Sequence, residues 1–537
     1  MKNGRIDYVG PSSDCPNDQK SQVIDADGMV LLPGLIEGHT HILSYRYGIE
    51  EFVKHVISSG VTTIVTETME LAILVGKDGI EYVAKGLEGQ PIRFYYTAAP
   101  LCGLTPAEEI NAPTDEEFLS ILKDPKCLGI GEIYWGNIFL EGRQGERLRN
   151  LVSTALKMNK VVEGHAAGAK GRKLQAYTFL GASSDHEPIT EQEVLERLRL
   201  GYWVMIREGS VRKELEGVKR IFKKKIDFRR LALATDGVDA GSLLTDGYLD
   251  ASLKNALKMG VPPKLAYQMV TINVAEHFHL DHLIGSLSPG RMADILIIPS
   301  PNEFSPQLVM CDGKIIYRDG KSLAEPHKVF FPKYMFDTVR LDAYTFPPLP
   351  GKGKVRVIEL VTRLVTKERI VDLEDPEESS DVIMILAINR LGGAEAFMGL
   401  LKGFGLQKGA YGTTMSWDTP DMIVVGVDIQ SMQTVIRRLK EIGGGAAYAI
   451  GEEAVAELAA PLCGVISLKP MALIADEIKK IEECLKENGV KWEKPMLTVD
   501  TLGTPAIPNL RMTHHGYVRV KDREILSMEI GNGVKEN

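Results

Sequence analysis

The sequence predicts an α/β fold: a TIM (β/α)8 barrel, a small β-subdomain assembled from both sides of it, and an α+β domain after it. Three observations carry this prediction. Eight apolar, strand-length runs alternate with helix-length amphipathic segments between residues 35 and 237, the pattern of parallel β/α units. Short β-rich pieces separated by turn residues bracket that region on both sides. Beyond about residue 325 the alternation stops, and a Pro/Gly-rich stretch opens a region of different pattern.

The bulk properties exclude several classes. A chain of 537 residues is long enough for more than one domain. Its net charge of −9 leaves no footprint for nucleic acid or an anionic membrane surface. There is no signal-peptide core and no apolar run of transmembrane length. The six cysteines are scattered, without a CxxC pair, which fits free thiols in a reducing compartment. A cytoplasmic protein is expected.

In chain order, residues 1–32 and 283–325 are assigned to the β-subdomain. Lys2–Gly10 is expected to be one β-hairpin arm, with Gly4, Gly10, Pro11 and Pro16 as its punctuation, and Ala293–Ile298 and Gly313–Lys321 the returning pieces. Met1 falls where the subdomain is expected to be under way, so further strands upstream are expected. The barrel is assigned to residues 33–282. Its strands are Leu35–His41, Thr62–Glu67, Ile92–Ala98, Cys127–Ile133, Val161–Ala166, Gly181–Glu187, Trp203–Glu208 and Leu231–Gly237. Helices are expected at Asp115–Lys123, Glu141–Met158, Glu191–Leu200 and Leu249–Met259. A doubly wound open sheet competes with the barrel, but the glycine turn it needs after its first strand is missing here. Phe346–Lys354 reads as a linker. The C-terminal α+β domain, 352–525, mixes strands (Val382–Ile388, Met422–Val427) with helices (Met432–Ile442, Leu473–Asn488).

In a barrel, chemistry sits at the C-terminal ends of strands. Those ends carry His39 and His41, Glu132, His165, His186 and Asp236. Residues i and i+2 of a strand share a face, so His39 and His41 leave strand one together. Singly, each residue is bland, since a strand-end His is often a hydrogen-bonded loop residue and a strand-end Asp a helix cap. Six on one rim is hard to reach by chance. Together they can hold two divalent cations, with Glu132 as a bridge, His39, His41 and Asp236 on one ion, and His165 and His186 on the other. A mixed His/carboxylate set suits zinc, manganese or iron. Such ions bring the pKa of bound water from about 16 to about 7, and Asp236 lies where it could take the proton. The implied reaction is metal-assisted hydrolysis at an electrophilic carbon.

Several stretches narrow this further. Pro33–His41 resembles the first barrel strand of the amidohydrolase superfamily. Val162–Gly168, Ser184–Glu187, Val204–Ser210 and Leu400–Leu406 resemble the adenine deaminase family within it, over nearly the whole chain. That resemblance implies hydrolysis of adenine to hypoxanthine and ammonia, a site with two metals, usually manganese or iron, and a homo-oligomer. It implies His39, His41, Glu132, His165, His186 and Asp236 as metal ligands, and it makes Asp236 and Glu132 the catalytic candidates. Glu187, Arg207 and Glu208 are then expected to orient the purine, against the alternative that Arg207 and Glu208 form an ion pair at the rim. Other readings stay open: action on another purine, a related heterocycle or an N-acetyl sugar, or a metal-binding homologue with little catalysis.

The chain departs from the family pattern around the ligands. Leu43, Ser44 and Tyr45 replace a Glu and two serines, and Glu67-Thr68-Met69-Glu70 replaces Asp-Pro-His-Glu. Gly237 replaces the aspartate after the strand-eight ligand, and Trp417-Asp418-Thr419-Pro420-Asp421 replaces His-Asp-Ser-His-Asn. His277, His279 and His282 have metal-like spacing but are expected to be structural, and His514-His515 an isolated pair in a polar turn.

Overall fold

A computed structural model describes residues 1–15, 22–348 and 352–530. Pro16 and residues 349–351 of the expected linker lie outside the described residues.

Each of the eight expected runs overlaps a strand. They are β2 (Leu35–Thr40), β3 (Val61–Thr66), β4 (Arg93–Ala98), β5 (Cys127–Tyr134), β6 (Val161–His165), β7 (Ser184–Asp185), β8 (Trp203–Arg207) and β9 (Leu231–Ala234), and β1 (Val30–Pro33) precedes them. Strands β2 to β6 form one parallel ladder in sequence order, and β7 to β9 another. The ladders curl toward each other. At one seam the Ser183 amide donates to the Val162 carbonyl (2.9 Å) and the Gly164 amide to Ser184 Oγ (3.2 Å). At the other, the Asp236 amide donates to the His39 carbonyl (3.1 Å). Lower on that seam, Met269 and Val270 sit between the strands and accept from the Leu233 and Ile36 amides (3.1 and 2.8 Å). Buried β-branched and aliphatic side chains fill both faces of these strands, as a parallel sheet covered by helices requires.

The helices between strands begin where their sequence says they should. Thr114 and Thr190 open Asp115–Leu122 and Glu191–Leu200 with capping boxes closed by Glu117 and Glu193. Among the described residues, no helix is long and apolar enough to cross a membrane.

The β-rich pieces flanking the barrel pair, the expected arm joining only through isolated bridges and a few backbone hydrogen bonds to residues 290–293. Lys2–Gly10 makes only single bridges, Lys2 with Arg5 and Arg5 with Met292. Asn3 and Gly4 adopt left-handed backbone (φ 52° and 73°) and turn the chain back at once, leaving Ile6 as its one buried apolar anchor. The strand that pairs is β1, running antiparallel to β10 (Ile295–Ile298) with Val30 opposite Ile298. The sheet continues through β11 (Leu308–Cys311), β12 (Lys314–Arg318) and β13 (Lys321–Ser322).

The C-terminal part is β-rich. An eight-stranded sheet runs in the order β15, β14, β17, β16, β19, β18, β20, β21. In chain order these are Lys354–Leu360, Thr366–Asp372, Val382–Asn389, Ala396–Lys402, Ala410–Thr413, Asp421–Gly426, Gly445–Ile450 and Glu453–Ala459, numbered β14 to β21. Helix Ile429–Glu441 packs on it through Met432, Val435 and Leu439. Two loops of this part, around residues 415–419 and 506–508, reach the C-terminal ends of the curled parallel strands and help to line the cavity there.

Candidate metal centre

His39 is the penultimate residue of β2, and His41 follows the strand. Their rings meet edge to face with centroids 5.3 Å apart. Glu132 comes from β5, His165 ends β6, His186 follows β7 and Asp236 follows β9. The His39 and His186 rings stack at 4.1 Å. Glu132 is the hub. Its Oε1 lies 2.9 Å from His39 Nε2 and 3.2 Å from both His41 Nε2 and His186 Nε2, and its Oε2 lies 3.4 Å from His165 Nδ1. Asp236 Oδ1 is 3.4 Å from His39 Nε2 and 3.7 Å from His41 Nε2.

The donor atoms form two groups that share Glu132: His39, His41, Glu132 and Asp236, and Glu132, His165 and His186, all within 4.8 Å inside each group. His39 Nε2, His165 Nδ1 and His186 Nε2 are buried yet make no hydrogen bond. Buried imidazole nitrogens without partners are costly, and their convergence on one carboxylate is what a binuclear cation site needs. The residues therefore fit two metal ions. A third group, Asp294, Cys311 and Asp312, instead receives a guanidinium: Arg93 Nη1 lies 2.5 Å from Asp294 Oδ2, and Arg93 also pairs with Asp312.

Neighbouring groups orient the ligands. His41 Nδ1 faces Glu70 Oε1 at 3.2 Å, and Ser44 Oγ donates to the same oxygen (2.7 Å). Such partners fix the tautomer and orientation of a ligating imidazole. Glu37 accepts from the His39 and Thr235 amides, both at 3.0 Å, and so ties β2 to β9 behind the site. Burial pushes Glu37 up to about 7 against those bonds. Asp236 has left-handed backbone (φ 55°), and its carbonyl accepts from the Tyr45 hydroxyl (3.3 Å).

Charge is strongly organised here. Burial disfavours charge on both His39 and Glu132, but their partners prevail. Asp236 and Glu132 raise His39 to about 10. His186, His41 and His165 hold Glu132 well below the usual carboxylate range. Asp236 is likewise held low against burial, by His39, Arg207 and His186. Arg207 pairs with Glu187 and lies 3.3 Å from Asp236 Oδ2. Burial opposes ionisation of Glu187, yet Arg207, His165 and His186 lower it to about 2.

Of the expected substrate residues, Glu187 and Arg207 line the same cavity as the ligands, which measures about 1220 Å³ with its open mouth. Glu208 does not. Its carboxylate turns away to accept from Asn255 Nδ2 (2.5 Å) and the Leu215 amide (3.1 Å). Glu208 follows the last residue of β8 and points away from Arg207, so the alternative of an Arg207–Glu208 ion pair is also not found among the described contacts. His277 is structural, buried against Glu163 at 2.7 Å. His514-His515 is the turn between the hairpin strands Leu510–Thr513 and Gly516–Arg519, as expected, but His514 is not isolated: it is buried against Asp421, also at 2.7 Å. In the sequence, Glu70 and Asp418 stand out only as departures from the family pattern and Tyr134 not at all; Glu70 sits in the first turn of the helix Met69–Val75 that follows β3.

A model of the amidohydrolase family matches residues 30–316, and one of the adenine deaminase C-terminal domain matches residues 359–524. An adenine deaminase from Desulfatibacillum aliphaticivorans is 32% identical over 511 residues, covering 93% of this chain and 88% of that protein. This chain belongs to the adenine deaminase family. A second adenine deaminase, from Methanococcoides burtonii, is 30% identical over 98% of this chain and 91% of its own length. Among solved structures, an L-hydantoinase from Arthrobacter aurescens superposes with a TM-score of 0.47 at 16% identity, over 61% of this chain and 93% of that one. In adenine deaminase terms, the amidohydrolase match contains all six ligand candidates, and the C-terminal match supplies the loops that roof the cavity.

Proposed function

We propose that this chain hydrolyses adenine to hypoxanthine and ammonia. The observation that carries the reading is the coincidence of near full-length similarity to adenine deaminases with two donor groups sharing one carboxylate. Under this reading His39, His41, Glu132 and Asp236 hold one ion, and Glu132, His165 and His186 the other, with manganese or iron as the native metal. When bound, such ions supply hydroxide at neutral pH.

The chain's own groups do the rest. Asp236 takes the proton of the attacking water and returns it to the amine leaving C6, so that water and adenine become hypoxanthine and ammonia. Arg207 holds Glu187 ionised and aimed into the cavity, where the pair orients the purine. Loops of the C-terminal part cover the site and keep bulk water from the reacting carbon.

The same reading takes residues 33–282 as a closed (β/α)8 barrel, which the hydrogen bonds across both seams support. Residues 1–32 and 283–325 are its flanking β-subdomain, and 352–525 the C-terminal domain. A cytoplasmic homo-oligomer completes the proposal, resting on the scattered cysteines and the family resemblance.

The test is ammonia release from adenine by protein reconstituted with manganese, with hypoxanthine followed by chromatography and a chelated sample beside it. Metal-dependent formation of both products supports the reading. Two bound ions per chain without turnover would overturn it.

A further inference from the structure

The loop Met415–Thr419 belongs to the C-terminal part but lines the cavity above the metal ligands. It is anchored on three sides. The Trp417 amide donates to the Asp500 carbonyl (2.8 Å), the Met415 amide to Thr413 Oγ1 (2.9 Å), and Thr419 Oγ1 to Glu108 Oε1 across the interface (2.9 Å). Between these anchors Asp418 takes left-handed backbone (φ 57°), which Asp tolerates better than most residues.

The carboxylate of Asp418 is used on one side only. Oδ2 accepts from the Tyr134 hydroxyl (2.9 Å) and from Thr504 Oγ1. Oδ1 makes no hydrogen bond among the described residues, and no Lys, Arg or His forms an ion pair with Asp418 there. The side chain lines the cavity. A half-buried carboxylate oxygen with no partner is an acceptor waiting for a donor.

Tyr134 links it to the ligands. Glu132 and Tyr134 are i and i+2 on β5 and share a face. The Tyr134 ring stands edge-on to His165, centroids 4.9 Å apart, and its hydroxyl touches Asp418. One tyrosine side chain thus spans the gap from the ligand-bearing strand to the Asp418 carboxylate. Asp418 and the ligand residues Glu132, His165, His186 and Asp236 line this one cavity, and a purine carries its C6 amine and its N9–H on opposite sides of the ring system.

We propose that Asp418 is a specificity residue that accepts the N9–H of a free purine base, so that the site takes 6-aminopurines and rejects their nucleosides. The proposal rests on the deaminase reading for the placement of C6. The N9–H is a donor that a ribosyl group removes. A site built around such a hydrogen bond discriminates strongly against ligands lacking it, because the buried acceptor is then left unpaired.

The test uses manganese-loaded protein and two unreactive probes, hypoxanthine and 9-methylhypoxanthine, titrated by calorimetry into the wild type, Asp418→Asn and Asp418→Ala. Bound metal and Tm are measured for each protein, and Asn is included because it tolerates the left-handed backbone. The wild type is expected to prefer hypoxanthine by ~10-fold or more, the size of one charged hydrogen bond. The preference should shrink at least about threefold in Asp418→Asn and vanish in Asp418→Ala, metal content being unchanged. Equal wild-type affinities, no hypoxanthine binding, or a preference that survives Asp418→Ala would overturn the proposal. Selective hypoxanthine binding without ammonia release from adenine would instead overturn the deaminase reading and leave the role of Asp418 standing.

Discussion

Gly237→Ala probes how the proposed base is held in place. Gly237 follows Asp236 and has φ of 105°, a region closed to most L side chains. A Cβ there would meet Tyr45 Cε2 at 2.0 Å, with Cδ2 and Cζ both at 2.8 Å. Tyr45 is buried, and its hydroxyl donates to the Asp236 carbonyl. The substitution therefore carries two separable costs. Left-handed backbone at a non-glycine residue costs ~1–2 kcal/mol. Displacing the Tyr45 ring costs ~1 kcal/mol for its hydrogen bond and ~1 kcal/mol for an off-rotamer side chain. The sum is about 3–4 kcal/mol, of which ~2 kcal/mol depends on Tyr45 being present. In a Tyr45→Ala background only the backbone cost remains, so the double-mutant cycle should return a coupling of ~2 kcal/mol. Equilibrium urea unfolding of the four proteins, followed by tryptophan fluorescence, measures it. Additivity within about 0.5 kcal/mol would refute the reasoning, since it would mean that the ring is not what excludes a side chain at position 237.

Three further outcomes are expected. Asp236→Asn should lower the rate of ammonia release by ~100-fold or more, whereas Glu132→Gln, which alters the shared carboxylate, should also reduce the metal counted per chain by elemental analysis. Arg207→Met removes the cation that heads the groups holding Glu187 down to about 2; the Glu187 pKa should rise, and the acid limb of the kcat/KM profile should move to higher pH. Burial and then Asp421 raise Glu108 from 4.5 to about 8 in the folded protein. Its contribution to stability is thus complete below 4.5 and lost as pH rises through about 8, and Glu108→Gln should flatten the fall in Tm over that window.

What could be read from the chain alone follows from how far each signal reaches. His39 and His41 were legible because strand period is local, and Glu132, His165, His186 and Asp236 because each ends a β/α unit whose pattern is local too. A similar alternation at the end of β8 separates Arg207, its last residue, which faces the cavity, from the next residue, Glu208, which faces Asn255. The expectation that set both beside the purine did not weigh that alternation. Lys2–Gly10 pairs less than its β propensity suggests, because the left-handed Asn3-Gly4 turn confines the arm to single bridges and a few backbone hydrogen bonds with residues 290–293. Asp418 was hidden for a different reason: its partner Tyr134 is 284 positions away, and no local pattern encodes that contact.

Tyr45 and Gly237 extend the point. Taken singly, each is a loss from the family's pattern around the ligands. In space the Tyr45 ring occupies the volume that any side chain at 237 would need, and its hydroxyl takes hold of the neighbouring Asp236 carbonyl. Two departures distant in sequence thus make one packing solution, and each makes physical sense only in the presence of the other. A site whose surroundings have changed in such matched sets keeps the constraint on its ligands. Five donors converge on Glu132 inside a wall whose residues differ from those the family resemblance leads one to expect.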